Sequence, residues 1–267
     1  MTRGRQTSVT REAPDRRPPG VAVLQTTQDH LLNGRVAYAQ PANGFRSGIE
    51  PVLLSAAVPA CPGERVLEGG SGAGAALLCL AARVANLQGV GVERDPELAA
   101  LANDNARANH LAGLTFIAGD IVAAEERGIF DHAFANPPYH SPAGTPSPDT
   151  SRMQAKRGGE GLLAAWACAM AAGLRHRGTL TFILPAGRLA EGLAAMTAAG
   201  CNVRAVLPLW PKPGQAAKLV LGQGVKGGRS PLLLLPGLVL HRAEGGYTEE
   251  ADAILRGGVA LSMLDHS

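Results

Sequence analysis

Arg65-Val66-Leu67-Glu68-Gly69-Gly70-Ser71-Gly72-Ala73-Gly74 runs from a short apolar strand into a glycine-rich turn. Residues 73–85 behind it form a good helix sequence with few polar side chains. A glycine turn between strand and helix lets a ligand approach the backbone and points helix-start N–H groups at it. The spacing Gly70-x-Gly72-x-Gly74 is not the G-x-G-x-x-G of dinucleotide-binding folds. Glu68, at the strand end, also argues against a pyrophosphate there. A carboxylate at that point suits a cationic or zwitterionic amino-acid ligand. A purely structural turn is the competing reading of the glycines.

Outward from this turn the pattern repeats. Residues 89–93 read as a second strand ending on Glu93, and Asp95-Pro96 caps and opens a helix reaching about residue 110. Residues 114–118 form a third strand, followed by Asp120. Residues 130–135 form a fourth, stopped by Asn136-Pro137-Pro138-Tyr139. A long Pro- and Ser-containing loop follows over 141–158, then a helix over 161–175, a strand over 179–184 and a helix over 189–199. Residues 52–58 suggest a short helix before the turn, and 203–207, 218–223 and 232–240 are late strands. Strands alternating with helices imply an α/β fold with a mostly parallel sheet and helices on both faces. The alternation breaks from Lys218 onward, which predicts an antiparallel edge.

Composition narrows the function. The chain has 267 residues, 46% apolar and 18% charged, enough to bury a sizeable core. Net charge is +3, and residues 1–20 carry all of it, with five arginines against Glu12 and Asp15. Residues 1–20 read as a disordered basic arm, and residues 21–267 as one domain with a short N-terminal extension over 21–60. The remaining charge balances, so a wholly basic nucleic-acid coat is excluded while local basic patches are not. Cys61, Cys79, Cys168 and Cys201 show no metal-ligand spacing, so no metal is expected. No signal core or membrane-length apolar run appears, and a cytoplasmic protein is expected.

Glu68, Glu93 and Asp120 fall at three consecutive strand ends, where open α/β sheets bind ligands. Glu93 is placed to accept both hydroxyls of a ribose; ordinary helix capping is the alternative for all three. At Asn136-Pro137-Pro138-Tyr139 two prolines remove two donors. The Asn136 side-chain oxygen and the Pro137 carbonyl remain as acceptors beside the ring of Tyr139. Two acceptors next to a stacking ring suit a planar group bearing –NH₂. They take the two amine hydrogens and aim the nitrogen lone pair at an electrophile, with no strong base required.

Glu68-x-Gly70-x-Gly72-x-Gly74, Glu93, Asp120 and Asn136-Pro137-Pro138-Tyr139, in this order, resemble the motif set of class I S-adenosylmethionine-dependent amino-methyltransferases. The resemblance implies a Rossmann-like, seven-stranded sheet. It implies that Glu68 and the glycine turn face the methionine part of S-adenosylmethionine, that Glu93 holds the ribose, that Asp120 contacts the adenine amine, and that Asn136 and Tyr139 hold the target. The flanks carry a narrower likeness: Thr27-Gln28-Asp29-His30-Leu31-Leu32-Asn33-Gly34-Arg35, Gln40-Pro41-Ala42-Asn43-Gly44-Phe45-Arg46, Glu50-Pro51-Val52-Leu53-Leu54, Leu78-Cys79-Leu80-Ala81-Ala82-Arg83, Glu160 with Trp166, and Tyr247-Thr248-Glu249-Glu250. These are similar to the bacterial valine-tRNA adenine-37 methyltransferase family, which methylates an adenine amine beside the anticodon. The chain departs from that pattern at Glu50, where Asp is expected, and at Glu68, where Asp is commoner; both keep the charge and lengthen the arm.

An RNA substrate calls for a stacking platform and phosphate contacts. Tyr139 is the expected platform, with Phe45 second. Arg152, Lys156 and Arg157 follow it directly; Lys212, Lys218, Lys226, Arg229 and the arm are further phosphate candidates. Trp166 reads as core. The rival reactions are methylation of a protein glutamine amide and of DNA adenine. A cofactor- or RNA-binding protein without catalysis is the reading from another class.

Overall fold

In the computed structural model, residues 24–43, 47–124, 128–138 and 161–263 are described. The sequence order is β1 (Thr26–Leu31), β2 (Val36–Pro41), α1 (Glu50–Ala57), β3 (Arg65–Gly69), α2 (Ala75–Arg83), β4 (Gln88–Glu93), α3 (Pro96–Ala108), β5 (Leu114–Ala118), β6 (Phe130–Ala135), α4 (Leu162–Gly173), β7 (Leu174–Pro185), α5 (Leu189–Ala198), β8 (Cys201–Trp210), β9 (Leu219–Lys226), β10 (Leu233–Leu234), β11 (Leu238–Val239) and α6 (Glu249–Leu255). The central sheet runs β8-β9-β7-β6-β3-β4-β5, seven strands, with β10 and β11 adding two short parallel pairings on β8. β3, β4, β5, β6 and β7 are mutually parallel; β9 is antiparallel to both neighbours, β7 and β8. The strand predicted to break the alternation is β9. The single run predicted over 232–240 is two strands, because Pro236-Gly237 interrupts it.

The sheet is covered on both faces, which is why its central strands are apolar at consecutive positions instead of every second one. Val66, Phe134 and Ile183 point into a core shared with α1, α2, α3 and α6. Their strand neighbours Leu67, Ala135 and Phe182 point into a second core under α4 and α5. The cap predicted for α3 is present: Asp95 accepts from the N–H groups of Glu97 and Leu98, with Pro96 first in the helix.

Residues 24–43 hold an element that the sequence did not make plain, the antiparallel β1–β2 hairpin. Its docking uses polar groups. Asn105, buried on α3, accepts from Ala39 N at 2.9 Å and donates to Ala39 O at 2.8 Å. Asn109, one turn later, does the same with Ala37 at 2.8 and 2.7 Å. A side-chain amide offers the same donor–acceptor pair as a peptide group, so two asparagines act as a strand against the open edge of β2. Asn103 treats the outer strand β5 in the same way at Phe116, 3.0 and 2.7 Å. Backbone groups on the outer edges of β2, at Ala37 and Ala39, and of β5, at Phe116, are thereby paired.

Candidate active site

The order β6-β3-β4-β5 brings four strand ends together at one end of the sheet. Gly69 lies level with Val92 on one side and Ala135 on the other, and Glu93 lies level with Ala118. Glu68, Glu93, Asp120 and Asn136 therefore stand at neighbouring carboxyl ends. The turn between β3 and α2 is held by Gly70 N and Ser71 N, which both donate to Val92 O at 2.8 and 3.2 Å. Gly70 and Gly74 have φ of +65° and +91°, values that L side chains rarely adopt. A Cβ on Gly70 would also sit 2.6 Å from Trp166 Cη2, and one on Gly74 2.8 Å from Phe116 Cζ.

The three acidic groups have different surroundings. Glu68 is 4% exposed and accepts from Leu77 N, in the first turn of α2, at 3.2 Å. Burial holds its carboxyl well above the usual range, the Leu77 bond pulls the other way, and the charge of Glu93 raises it further. Glu93 is half-buried. Its Oε2 accepts from Gly72 N at 2.7 Å and its Oε1 from Asp95 N at 3.0 Å. Each carboxylate oxygen has two lone pairs, so two acceptor positions remain, one per oxygen. Asp120 caps a single 3₁₀ turn, accepting from Val122 N at 3.0 Å, and pairs with Arg94 Nη2 at 3.1 Å. The Val122 bond is the largest cause holding its carboxyl below the usual range; burial opposes it, and the hydrogen bond and charge of Arg94 add to the lowering. Capping and turn bonds, the competing explanation, are thus real at all three, and none of them uses up the carboxylate's acceptor capacity.

Asn136 is half-buried, and its side chain has no hydrogen-bond partner among the described residues. Pro137 is buried beside it and Pro138 exposed. Tyr139, Arg152, Lys156, Arg157 and Phe45 lie outside the described residues. Lys212 and Lys218 lie between β8 and β9, at the same sheet end as Asn136; Lys226 ends β9 and Arg229 follows it, at the opposite end. Two residues at the site escaped the sequence reading. Trp166 is core, as expected, but that core is the support of the Gly70 turn. Ser71 is buried, and its Oγ has no hydrogen-bond partner among the described residues. Nothing local in the sequence signals that Trp166 reaches Gly70, 96 positions away; Ser71 lies within the motif and was passed over for its glycines.

Among curated proteins, the chain is 33% identical over 184 residues to the tRNA1(Val) (adenine(37)-N6)-methyltransferase of Actinobacillus succinogenes, covering 66% of this chain and 75% of that one. The chain belongs to that methyltransferase family. A second member, from Serratia proteamaculans, is 40% identical over 103 residues, 37% of this chain and 40% of the relative. Residues 50–156 match the family model described as the methyltransferase small domain. The fold is shared with a predicted O-methyltransferase of Agrobacterium tumefaciens: TM-score 0.66, 24% identity, 80% of this chain and 98% of that chain. Pyrococcus horikoshii TYW2, solved with MeSAdo, superposes with a TM-score of 0.53 at 14% identity, over 78% of this chain and 74% of that one.

This family member is an S-adenosylmethionine-dependent methyltransferase. Its own residues fit that cofactor. Glu93 keeps two acceptor positions, enough for two vicinal hydroxyls. Ser71 Oγ, in the same turn, is a buried polar atom without a partner among the described residues. Nothing lies within 4 Å of the Cβ position of Gly72, so the backbone there is open to a ligand.

Proposed function

We propose that this enzyme transfers the methyl group of S-adenosylmethionine to the exocyclic amine of an adenine in RNA, with a tRNA as substrate. The observation carrying the reading is the half-buried, unpartnered Asn136 carboxamide beside buried Pro137, one residue beyond the strand that flanks Gly69. The curated relatives named for the adenine-37 position of a valine tRNA support the choice of substrate.

Asn136 Oδ1 and the Pro137 carbonyl accept the two hydrogens of the target amine. That fixes the amine plane and turns the nitrogen lone pair towards the methyl donor, an orienting effect. These two acceptors, one side-chain amide oxygen and one backbone carbonyl, also stabilise the positive charge that develops on nitrogen. The proton leaves to solvent after transfer. Glu93 holds the ribose of the cofactor by its two hydroxyls, and Asp120 accepts from the cofactor's adenine amine. Glu68 and the Gly70–Gly74 turn face the methionine part, with Ser71 Oγ added to that set. The cofactor supplies an activated methyl group on a cationic sulfur. Tyr139 stacks on the target base, and Arg152, Lys156 and Arg157 take adjacent phosphates. The catalytic unit is residues 21–267, with 21–60 as its N-terminal extension and 1–20 as an arm outside it.

No helix among the described residues is long and apolar enough to cross a membrane, and the reading carries a cytoplasmic location with it. Incubation with radiolabelled S-adenosylmethionine and an unmodified tRNA transcript, followed by nucleoside mass spectrometry, tests the reaction. N6-methyladenosine is the expected product. Label in a protein glutamine and in no tRNA overturns the reading in favour of amide methylation.

A further inference from the structure

Residues 192–243 contain no aspartate or glutamate but six basic residues: Arg204, Lys212, Lys218, Lys226, Arg229 and Arg242. A chain whose body nets to zero therefore holds an acid-free, cationic segment of 52 residues. Residues of this segment line an open cleft of about 490 Å³, bounded by Trp210, Lys212, Pro213, Gln215 and Val239. β8 runs parallel to β7 and β6, so Trp210, at its carboxyl end, stands at the same sheet end as Asn136. Three strand spacings separate β8 from β6, about 14 Å at the usual strand separation.

The cleft is built, not incidental. Trp210 Nε1 donates to Pro236 O at 3.1 Å, and the indole lies on Gly237, whose Cβ would fall 2.4 Å from that nitrogen. Gly237 has φ +90°, so the backbone turns to make room for the ring. Lys212 lines the cleft, and its Nζ donates to Ala243 O at 3.2 Å. The nearest acid along the chain is Glu244, beyond that contact. A fixed indole, a proline, one amide and one ammonium suit a planar aromatic group attached to an anion.

We propose that this cleft receives a nucleotide of the RNA substrate other than the target adenine, its base stacked on Trp210 and its phosphate met by Lys212. The proposal rests on the RNA reading above. Stacking on an aromatic side chain is strong and tolerant of sequence, so the cleft sets RNA affinity and register while Asn136 handles chemistry.

Steady-state methylation of a tRNA transcript and titration of intrinsic fluorescence with the same transcript test it together. Trp166 and Trp210 are the only tryptophans, and Trp166 is 8% exposed, so RNA-dependent quenching reports on Trp210. Trp210→Ala raises the KM for tRNA about tenfold or more and leaves kcat and the KM for cofactor unchanged. Trp210→Phe keeps a stacking ring and restores KM to within about threefold, while abolishing the quench. Lys212→Ala lowers the slope of log affinity against log salt by about 1. An unchanged KM in Trp210→Ala overturns the proposal. Equal impairment of Trp210→Ala and Trp210→Phe with lowered thermal stability also overturns it, because the indole N–H would then be a packing device. If wild-type protein methylates no tRNA, the reaction reading falls. The quench then decides the cleft alone: present, RNA binding there stands; absent, it falls.

Discussion

The two ends of the sheet are both polar, and they differ in how completely that polarity is used. At the amino end, Asp131 accepts from Arg65 N at 2.7 Å and pairs with Arg175 at 2.6 Å. His132 bridges Thr179 Oγ1 at 2.8 Å and Glu64 at 2.9 Å, and Glu64 also accepts from Cys61 N at 2.7 Å. Every member of that network has its partner. At the carboxyl end, Asn136 and Ser71 Oγ have none among the described residues. A satisfied buried network costs little to keep and much to break. An unsatisfied one lowers stability until a ligand completes it. The contrast locates function without reference to which residues are acidic, since both ends carry carboxylates.

The largest effect expected from this contrast is on chemistry at the unsatisfied end. Asn136→Ala should lower kcat by about 10²-fold or more, the usual loss when a pre-aimed polar group is removed. Thermal stability should change by less than about 0.5 kcal/mol, because no partner is orphaned. Methylation kinetics and calorimetry on one preparation check both halves. A stability loss comparable to that of a core truncation would mean that Asn136 is a structural cap.

Asp131→Ala should do the reverse. It leaves the Arg65 N–H without its acceptor and takes away the nearer of the two carboxylates beside Arg175, whose other partner is Glu64 at 3.7 Å; the orphaned donor alone costs about 1–3 kcal/mol. Denaturant unfolding should show it, with the KM for cofactor unchanged in protein that remains folded. The pH dependence of this end follows from His132. Burial, outweighing the opposing pull of Glu64, holds its imidazole below the usual range. The unfolded chain then binds the proton more readily than the native one, so stability is present above the unfolded pKa and is lost as pH falls through the window below it.

Glu68 has the opposite sign at the other end. Its carboxyl is raised by burial, so the native state holds a proton that the unfolded state releases more readily. The stability it contributes is full below the unfolded pKa and is lost as pH rises towards the folded one. Glu68→Gln removes that loss. The variant should unfold at a higher temperature than wild type near neutrality and at about the same temperature in acid, while binding cofactor more weakly. Thermal scans across pH check the crossing. A parallel pair of curves would show that Glu68 is not ionised on unfolding in the way its burial requires.

What the sequence made legible was local. Apolar runs for covered strands, Asp95-Pro96 at a helix start and glycines at a turn act within a few residues, and the βαβ order followed from them. The β1–β2 hairpin was missed although Asn33-Gly34, with φ of +52° and +91°, is a standard hairpin turn signal between alternating runs. Its strands are half exposed and short of β-branched residues, so alternation alone was faint. Its anchoring by Asn105 and Asn109 spans 66 and 72 positions, and no pattern of composition encodes such a pairing. The same holds for Trp166 beneath Gly70. At the site, the acceptors were legible from residue type and strand position. Which of them were already occupied required the three-dimensional arrangement.

The smallest effect sharpens that last point. Among the described residues, Arg94 and Asp120 form the one ion pair of the acidic trio. Their side chains are 78% and 42% exposed, where such pairs contribute no more than about 1 kcal/mol and often nothing measurable. The first cause of the low Asp120 pKa is the N–H of Val122, and that bond survives when Arg94 is removed. Arg94→Ala should therefore leave Asp120 charged, shift unfolding by less than about 0.5 kcal/mol, and change the KM for cofactor by less than about threefold. Calorimetry and a cofactor titration at low salt, where exposed pairs count most, give the strictest check. A tenfold rise in KM would show that the guanidinium itself touches the cofactor, and would move Arg94 from the solvated rim into the set of groups that the ligand completes.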